Sequence, residues 1–296
     1  MGYRQVFIKK SEKLSFKDNQ LIVTRDDVET KVPLEDINYV IIEDATTIIT
    51  TRLLAEFGKN AIALIICDEK YEPVSIMYPY NHHYKQLENL ELQLSNTISL
   101  KDELWKLIII RKIYNQRRVL EIKTMDEYAI GKLDVFVSEV EPGDVSNREG
   151  LAAKMYFRSL FGSNFIRHYD DGVNNALNYG YTIFRSALVR ILSVYGLLTY
   201  YGINHKSKTN NFNLAYDFVE AFRPIVDSFV FEHMDELTDE LSYDIRKQLV
   251  NLLNKEVLCD GKLCTVEYSM ELLVKSFIKA LTNGEVNLIL PELVNG

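Results

Sequence analysis

The feature that most constrains the fold is a change of pattern near residue 80. Before it, short segments such as "QLIVTR" and "INYVIIED" are rich in β-branched or alternating residues and are separated by polar turns. After it, apolar residues recur at helical spacing, as in "KDELWKLIIIRKIYNQRRVLEI". Only six prolines occur in the chain, and none lies between Pro142 and Pro224, which favours long helices there. The sequence therefore predicts an α+β protein whose β-rich part precedes its helical part.

We predict three regions from this change. Residues 1–78 form a β-rich, β-sandwich-like domain with one short helix over "TTRLLAEFGKN", and residues 79–96 form a hinge that includes all but the first residue of "YPYNHHYK". Residues 97–296 form a larger all-α domain, with helices over about 145–161, 173–200, 211–223, 242–254 and 265–283. The length of 296 residues exceeds the usual size of one domain, which agrees with this division.

Composition argues against several classes of protein. No apolar run approaches the ~20 residues of a membrane span, and "MGYRQVFIKK" lacks the apolar stretch of a signal peptide. Three cysteines without a secretory signal argue against a disulfide framework. We therefore expect a cytoplasmic protein that contacts no membrane and carries free thiols.

Charge is distributed unevenly along the chain. The formal net charge is −8, which argues mildly against a nucleic-acid partner. Residues 145–210 nevertheless hold eight basic and three acidic residues, whereas residues 225–296 hold six basic and thirteen acidic ones. Residues 145–210 can therefore present a basic surface to the phosphates of a nucleic acid. Ordinary solvated helix faces would give the same numbers of basic and acidic residues.

Two carboxylates lie on one face of a predicted helix. Asp217 and Glu220 are three residues apart with no basic residue beside them, so they repel each other unless a cation neutralises them. His205 precedes them across a polar segment that a turn could fold back. Carboxylate oxygens suit Mg²⁺ or Mn²⁺, and an imidazole favours Mn²⁺. A solvated helix face with a structural histidine is the alternative interpretation.

A third carboxylate, Glu149, begins a predicted helix in "VSNREGLAAKMYF". Residues 146–149 also fit the S-x-x-E capping box, in which Glu149 would merely bond back to Ser146. Local sequence leaves capping and catalysis both open.

Further along, "NNALNYGYTIFRSALVR" places Asn178 and Tyr179 in an apolar helix, where buried polar groups need partners. That run indicates a polar network that supports a site or contacts a ligand.

Taken together, these segments resemble the CRISPR-associated adaptation integrase, the universal Cas endonuclease that inserts new spacers. The blocks "REGLAAKMYF", "NNALNYGYTI", "YGINHKS" and "LAYDFVEAFRP" occur in the family's order, and "KIYNQRRVL" resembles its K-I-x-N-Q segment. The resemblance spans the chain, since the family has an N-terminal β-domain, a hinge and a C-terminal helical domain. The short length and the "HHYKQLENLELQLSN" region are most similar to the type II version.

The resemblance also implies roles for the site residues. Glu149, His205 and Glu220 match the catalytic residues that bind the metal, Mg²⁺ or Mn²⁺, with Glu220 where the family often has Asp. Asp217 matches an auxiliary carboxylate, while Asn178 and Tyr179 are expected to brace the site. Charge and location, rather than motif, suggest the DNA contacts Lys154, Arg158, Arg167, Lys206 and Lys208.

The implied reaction is a metal-dependent phosphoryl transfer between DNA strands. A 3′-hydroxyl of double-stranded prespacer DNA would attack a phosphodiester of the CRISPR repeat and leader DNA, in a transesterification. Two homodimers, each paired through its β-domains, would flank a dimer of the small second adaptation protein. A type II system would add an accessory ring protein and an RNA-guided effector nuclease. The alternatives are a hydrolytic metal-dependent nuclease and a non-enzymatic helical interaction protein.

Overall fold

The computed structural model describes residues 4–80, 85–167 and 169–294. Two compact units divide the chain, Met1–Gln86 with Leu192–Gly196, and Leu87–Ile191 with Leu197–Gly296. The predicted hinge over 79–96 lies partly outside the described residues, and its later part is helical. Among the described residues no helix is both long enough and apolar enough to cross a membrane.

Within residues 4–80, the first unit is built from eight strands and one α-helix. These are β1 (Arg4–Ile8), β2 (Lys13–Lys17), β3 (Gln20–Arg25), β4 (Val28–Pro33), β5 (Ile37–Ile42), β6 (Ile48–Ile49), α1 (Thr51–Lys59), β7 (Ala63–Cys67) and β8 (Pro73–Met77). One sheet has the order β1-β5-β7-β8, with only the β7–β8 pair antiparallel. The other has the order β4-β3-β2-β6, with only the β2–β6 pair parallel.

The two sheets and α1 share one apolar core. Leu14 and Leu21 come from one sheet, Val40 and Leu64 from the other, and Phe57 from α1. Strand β5 is buried at all six positions, because it has a strand on each side and its sheet packs into this core. The predicted β-rich, sandwich-like domain with one short helix is therefore confirmed.

The remaining described residues are mainly helical. The helices are α2 (Gln86–Ser95), α3 (Ile98–Lys123), α4 (Glu127–Ser138), α5 (Arg148–Phe161), α6 (Gly172–Val194), α7 (Asn213–Val219), α8 (Arg223–Glu232), α9 (Tyr243–Asn251) and α10 (Val266–Asn283). The larger helical part confirms the α+β prediction. One feature was not anticipated, an antiparallel hairpin of β9 (Glu256–Cys259) and β10 (Lys262–Thr265). Its turn uses Asp260 and Gly261 at φ 49° and 74°, values typical of a tight hairpin.

Helix α3 is the centre of the helical unit and packs against α4, α5, α7 and α8. Its apolar residues are buried, but so is Asn115, whose side-chain amide donates to the carbonyl oxygens of Ala221 and Pro291. The Asn115 carbonyl oxygen accepts from the backbone N–H of Leu293 at 3.2 Å. Asn115 thus fastens both the segment after α7 and the C-terminal tail to α3.

The predicted helix over 211–223 is divided in the structure. Helix α7 gives way to a 3₁₀ turn at Glu220–Phe222, after which α8 begins at Arg223. Pro224 directly follows the predicted helix, but in the structure it lies in the first turn of α8, where no backbone N–H is needed from it. The tighter turn begins with Glu220, one of the predicted site residues.

Candidate active site

Two glutamates from separate elements meet on one lysine. Glu149 lies in the first turn of α5, Glu220 begins the 3₁₀ turn after α7, and Lys112 reaches both from the middle of α3. Its Nζ atom is 2.5 Å from Oε1 of Glu149 and 2.5 Å from Oε2 of Glu220. The side chains of Lys112 and Glu220 are 8% and 4% exposed, and that of Glu149 is 28% exposed. Two of the three predicted metal ligands therefore lie together around a cationic nitrogen.

A second cation lies on the other side of Glu220. Nη2 of Arg223 is 2.9 Å from Oε1 of Glu220. Burial would raise the pKa of Glu220, but Arg223 and Lys112 hold that pKa below its usual value. Burial would likewise lower the pKa of Lys112, but Glu220 and Glu149 raise it. Glu220 and Lys112 are thus both charged at neutral pH, and the expectation that no basic residue lies beside this carboxylate is corrected.

Glu149 is free to reach the lysine because other residues cap its helix. The Asp144 carboxylate accepts the backbone N–H of Arg148 at 2.8 Å and that of Glu149 at 3.0 Å. The Asn147 side chain accepts the next N–H along the helix at 3.2 Å. Asp144 and Asn147 have φ of 48° and 53°, a left-handed conformation that Asp and Asn tolerate well. The S-x-x-E capping box is not formed, and the Ser146 hydroxyl has no hydrogen-bond partner among the described residues.

His205 is oriented by Asp217, whose side chain is completely buried. Oδ1 of Asp217 accepts from the backbone N–H of His205 at 3.0 Å and lies 2.7 Å from its Nδ1. Oδ2 accepts from the backbone N–H groups of Ile203 at 2.5 Å and Asn204 at 3.2 Å. Since a carboxylate only accepts, the proton lies on Nδ1, and Nε2 is the ring nitrogen available to a ligand.

The loop that carries His205 is tightly packed. A Cβ atom at Gly202 would lie 2.5 Å from the carbonyl oxygen of His205 and 2.7 Å from Oδ2 of Asp217, so only glycine fits there. The imidazole lies edge-on to Trp105, with ring centroids 5.9 Å apart, and 6.0 Å from the ring of Tyr216. Its hydrogen bond to Asp217 raises the pKa of His205 although burial opposes the shift. Glu220 and Glu149 add to that rise in pKa, since their negative charges act on the same imidazole.

A cavity of about 350 Å³ opens beside His205. Its lining includes Lys101, Tyr200, Tyr201 and Lys206. The ammonium of Lys101 is 3.2 Å from the hydroxyl of Tyr201, and Tyr200 is 55% exposed. Amines and aromatic faces beside the histidine are suited to phosphates and bases.

The asparagine-rich start of α6 forms a polar network around Arg167. The guanidinium donates to Oδ1 of Asn174 at 2.7 Å and to Oδ1 of Asn178 at 2.7 Å. It also lies 5.4 Å from the ring centroid of Tyr181. Tyr179 is buried in the same helix. Arg167, predicted as a DNA contact, is therefore engaged with α6, whereas the other four predicted contacts are exposed: Lys154, Arg158, Lys206 and Lys208.

The protein family follows from comparison with known sequences. The family described as "CRISPR associated protein Cas1" matches residues 6–257. The chain belongs to the Cas1 family. It is 36% identical over 297 aligned residues to the CRISPR-associated endonuclease Cas1 of Neisseria meningitidis serogroup C (strain 8013), covering 99% of this chain and 97% of that relative. The resemblance found in the sequence blocks is thereby confirmed.

Two solved structures share the fold of this Cas1-family chain. The casposase bound to integration product matches with a TM-score of 0.77 at 21% identity, covering 97% of this chain and 92% of that one. A chain of the Cas6-RT-Cas1–Cas2 complex matches with a TM-score of 0.77 at 20% identity. That match covers 98% of this chain but only 36% of the longer one. At these identities the likeness establishes the fold alone.

The donor atoms of this Cas1-family site, carboxylate oxygens and an imidazole nitrogen, fit a hard divalent cation in their chemistry. Two carboxylates share one cationic nitrogen, and the Nε2 atom of His205 is available. Among the described residues, however, no three His, Cys, Asp or Glu side chains form a ready-made metal cage. The ammonium of Lys112 lies between the two glutamates and takes the place that a shared ion would need.

Lys112, Arg223 and Asp144 are not among the predicted site residues. Lys112 is the first residue of the "KIYNQRRVL" segment, which was identified by its resemblance to the family. That resemblance gave the lysine no role. Arg223 follows Glu220 by three residues, a spacing that pairs side chains on a helix. Asp144 precedes a predicted helix start, where acidic residues are favoured. Because it is five residues before Glu149, the sequence did not indicate that its carboxylate accepts the backbone N–H of Glu149.

A buried aspartate behind Arg223 was also missed. The guanidinium of Arg223 lies 4.7 Å from the ring centroid of Tyr181, whose hydroxyl donates to Oδ1 of Asp227. Burial raises the pKa of Asp227 to about 6, against the opposing effect of the hydroxyls of Tyr181 and Tyr156. This network supports the arginine that holds Glu220.

Proposed function

We propose that this Cas1-family protein is a divalent-metal-dependent DNA integrase of CRISPR adaptation that acts in the cytoplasm. The observation that carries the proposal is the meeting of Glu149 and Glu220 at one buried cationic position, where their charges act on the imidazole of His205, which Asp217 orients. Family membership supports a role in CRISPR adaptation. The casposase, solved with an integration product, supports DNA joining as an activity of this fold.

Glu149, Glu220 and Nε2 of His205 would hold Mg²⁺ or Mn²⁺. When bound, such an ion supplies Lewis-acid stabilisation of the charge that develops on a phosphodiester under attack. Asp217 fixes the imidazole in the Nδ1-protonated form, which leaves the Nε2 lone pair for the ion. Because both oxygens of Asp217 already accept two hydrogen bonds each, we assign it an orienting role rather than that of a ligand.

The proposed reaction joins a prespacer 3′-oxygen to a phosphorus atom at the boundary of a CRISPR repeat. The bond from that phosphorus to its original 3′-oxygen breaks, the attacking hydroxyl loses its proton, and the departing 3′-oxygen takes one up to become a hydroxyl, so the reaction is a transesterification. The exposed amines of Lys206 and Lys208 follow His205 directly and suit the DNA backbone. Lys154 and Arg158 lie on the helix that carries Glu149 and suit a second stretch of backbone. Arg167, Asn178 and Tyr179 brace the start of α6.

The proposed assembly follows from the family. Two homodimers, each paired through its β-domains, flank a dimer of the small second adaptation protein, and the complex spans the prespacer duplex. The solved Cas6-RT-Cas1–Cas2 complex supports a Cas2 protein as that partner. We assign the chain to the type II version, with an accessory ring protein and an RNA-guided effector nuclease as further partners. Residues 1–78 are proposed as the dimerisation domain and 79–96 as the hinge.

A strand-transfer assay tests the proposal. Labelled prespacer duplex with free 3′-hydroxyl ends is incubated with repeat and leader DNA in Mg²⁺, Mn²⁺ or EDTA, with and without the Cas2 partner. We expect joined half-site products in metal and none in EDTA. Glu220→Gln should abolish joining, whereas Glu232→Gln, which alters the exposed Lys123–Glu232 pair, should retain it.

The second candidate is a hydrolytic nuclease that uses the same side chains with water as the attacking group. The endonuclease name of the Neisseria relative favours it. In the same assay, degradation of labelled DNA without joined products would select hydrolysis over integration. Metal-independent joining, or full joining by Glu220→Gln, would contradict both metal-dependent mechanisms.

A further inference from the structure

The buried ammonium of Lys112 is the least expected member of the site. It contacts both glutamates at 2.5 Å, and its side chain is only 8% exposed. A lysine is rarely buried to this extent unless it is paired. Here it is paired twice, with the same two carboxylates that are proposed to bind the metal.

The charges around Lys112 are balanced without any added ion. Glu149 and Glu220 contribute two negative charges, and Lys112 and Arg223 contribute two positive ones. A divalent cation placed between the glutamates would therefore bring a neutral cluster to a net charge of two. Since Lys112 Nζ already lies between the two carboxylates, the ion and the ammonium would also compete for the same space.

The two basic residues differ in how easily they can leave. Arg223 is three residues from Glu220 and contacts its Oε1 atom rather than the Oε2 atom that Lys112 contacts, so Arg223 does not occupy the position between the two glutamates. Lys112 ends in a compact ammonium on a flexible four-carbon chain, which can withdraw by changing rotamers. Lys112 is thus the group that an arriving ion must displace.

We propose that Lys112 is a built-in competitor of the divalent cation. Its ammonium holds Glu149 and Glu220 together in the metal-free protein and leaves both carboxylates when an ion binds. This inference rests on the proposed metal-dependent function and adds a positioning residue to that site. The protein folds without metal as a result, and its affinity for the ion is lower than the two carboxylates alone would provide.

The test compares metal affinity and stability in neutral variants of Lys112. Lys112→Met keeps most of the unbranched side chain, one atom shorter, without its charge, and Lys112→Gln keeps an N–H donor for one glutamate. Mn²⁺ binding to the full chain is measured from the free-ion signal in electron paramagnetic resonance, and thermal unfolding is measured in EDTA and in Mn²⁺. Lys123→Met is the matched control, because Lys123 lies on the same helix but pairs with the exposed Glu232.

We expect both neutral variants to bind Mn²⁺ at least about tenfold more tightly than the wild type, because the competing charge is gone. In EDTA both variants should unfold at a lower temperature than the wild type. Mn²⁺ should raise the unfolding temperature of both variants by more than it raises that of the wild type. Lys123→Met should match the wild type in affinity and in the Mn²⁺-induced shift. A merely structural lysine would lower stability without tightening Mn²⁺ binding.

The outcomes separate this inference from the proposed function. If the wild type binds Mn²⁺ and neither variant binds it more tightly, the competitor role is overturned while metal dependence stands. If neither the wild type nor the variants bind Mn²⁺, the proposed metal site and this inference both fail. If Lys112→Met folds only with Mn²⁺, Lys112→Gln provides the affinity, and metal-dependent folding itself supports the proposal.

Discussion

Replacement of Asp217 by Asn tests how the histidine is held. The Asp217 carboxylate accepts four hydrogen bonds, three from the backbone of residues 203–205 and one from Nδ1 of His205. An Asn side chain is nearly isosteric, but it has one acceptor oxygen, and its NH₂ group would face N–H donors. Two charge-assisted bonds are then lost at about 1.5–3 kcal/mol each, and relief from burying a charge returns part of that. We expect a net loss of about 3 kcal/mol in the free energy of unfolding.

Two measurements follow from Asp217→Asn. Urea denaturation should show the loss in stability, and thermal unfolding should shift down by roughly 6–12 °C, at about 2–4 °C for each kcal/mol. Nuclear magnetic resonance titration of the imidazole should show a lower pKa for His205, because the hydrogen bond to Asp217 is the largest cause that raises it. Asp235→Asn is the control, since Asp235 is exposed.

The pH dependence of this effect has a definite sign. The pKa of His205 is raised in the folded state, so its pairing with Asp217 stabilises the fold fully below the unfolded pKa of about 6.5. That contribution is lost as pH rises through the folded pKa. The difference between the wild type and Asp217→Asn should therefore narrow in alkaline solution. A loss below about 1 kcal/mol with an unchanged pKa of His205 would refute the orienting role.

Three further changes test the support of the site. Asp144→Ala removes the carboxylate that caps the N–H of Glu149, and urea denaturation should show a loss of about 1–2 kcal/mol. Asp227→Asn should flatten the pH profile of stability, measured in urea from pH 4 to 8. Since the folded pKa of Asp227 is raised from 3.8 to about 6, its contribution is fully present below 3.8 and lost as pH rises through about 6. The loss amounts to about 3 kcal/mol in the wild type, at 1.36 kcal/mol for each pH unit, and Asp227→Asn should not show it. Asn115→Ala should cost about 2–4 kcal/mol and speed hydrogen exchange at the N–H of Leu293, because that N–H loses its acceptor.

The order of β-rich and helical parts could be predicted because the hydrophobic period changes once, near residue 80. Strand β5 is apolar except for Asn38, and it is buried at every position, as its sequence "INYVII" indicates. The hairpin of β9 and β10 was not predicted although Asp260-Gly261 is a strong turn signal, because its two strands have only four residues each and lie between helical patterns. The helix predicted over 211–223 stops short of Pro224, whereas the structure places that proline at the start of the next helix.

The site was harder to predict than the fold, since its contacts join distant parts of the chain. Local sequence could not decide whether Glu149 caps its helix or serves the site. The answer depends on Asp144, which takes over the capping at a φ of 48°, and on Lys112, which lies 37 residues earlier on another helix. A sequence pattern indicates which nearby side chains can pair. It does not indicate that Lys112 pairs with glutamates 37 and 108 residues further along the chain.

The lysine resolves a conflict that any buried pair of carboxylates creates. Glu220 is 4% exposed, and a carboxylate buried to that extent without a partner would unfold the segment or take up a proton. A protein that binds its metal only after folding needs a positively charged side chain to neutralise these carboxylates before the ion binds. Arg223 neutralises one oxygen of Glu220 but contacts neither oxygen of Glu149, so a second cation is required between the two elements. Under the proposed metal dependence, a residue that stabilises the metal-free fold at this position also weakens metal binding, because the ammonium and the ion would bind the same two carboxylates. The proposal therefore sets stability without metal against affinity for metal at Lys112, and a substitution there should move the two in opposite directions.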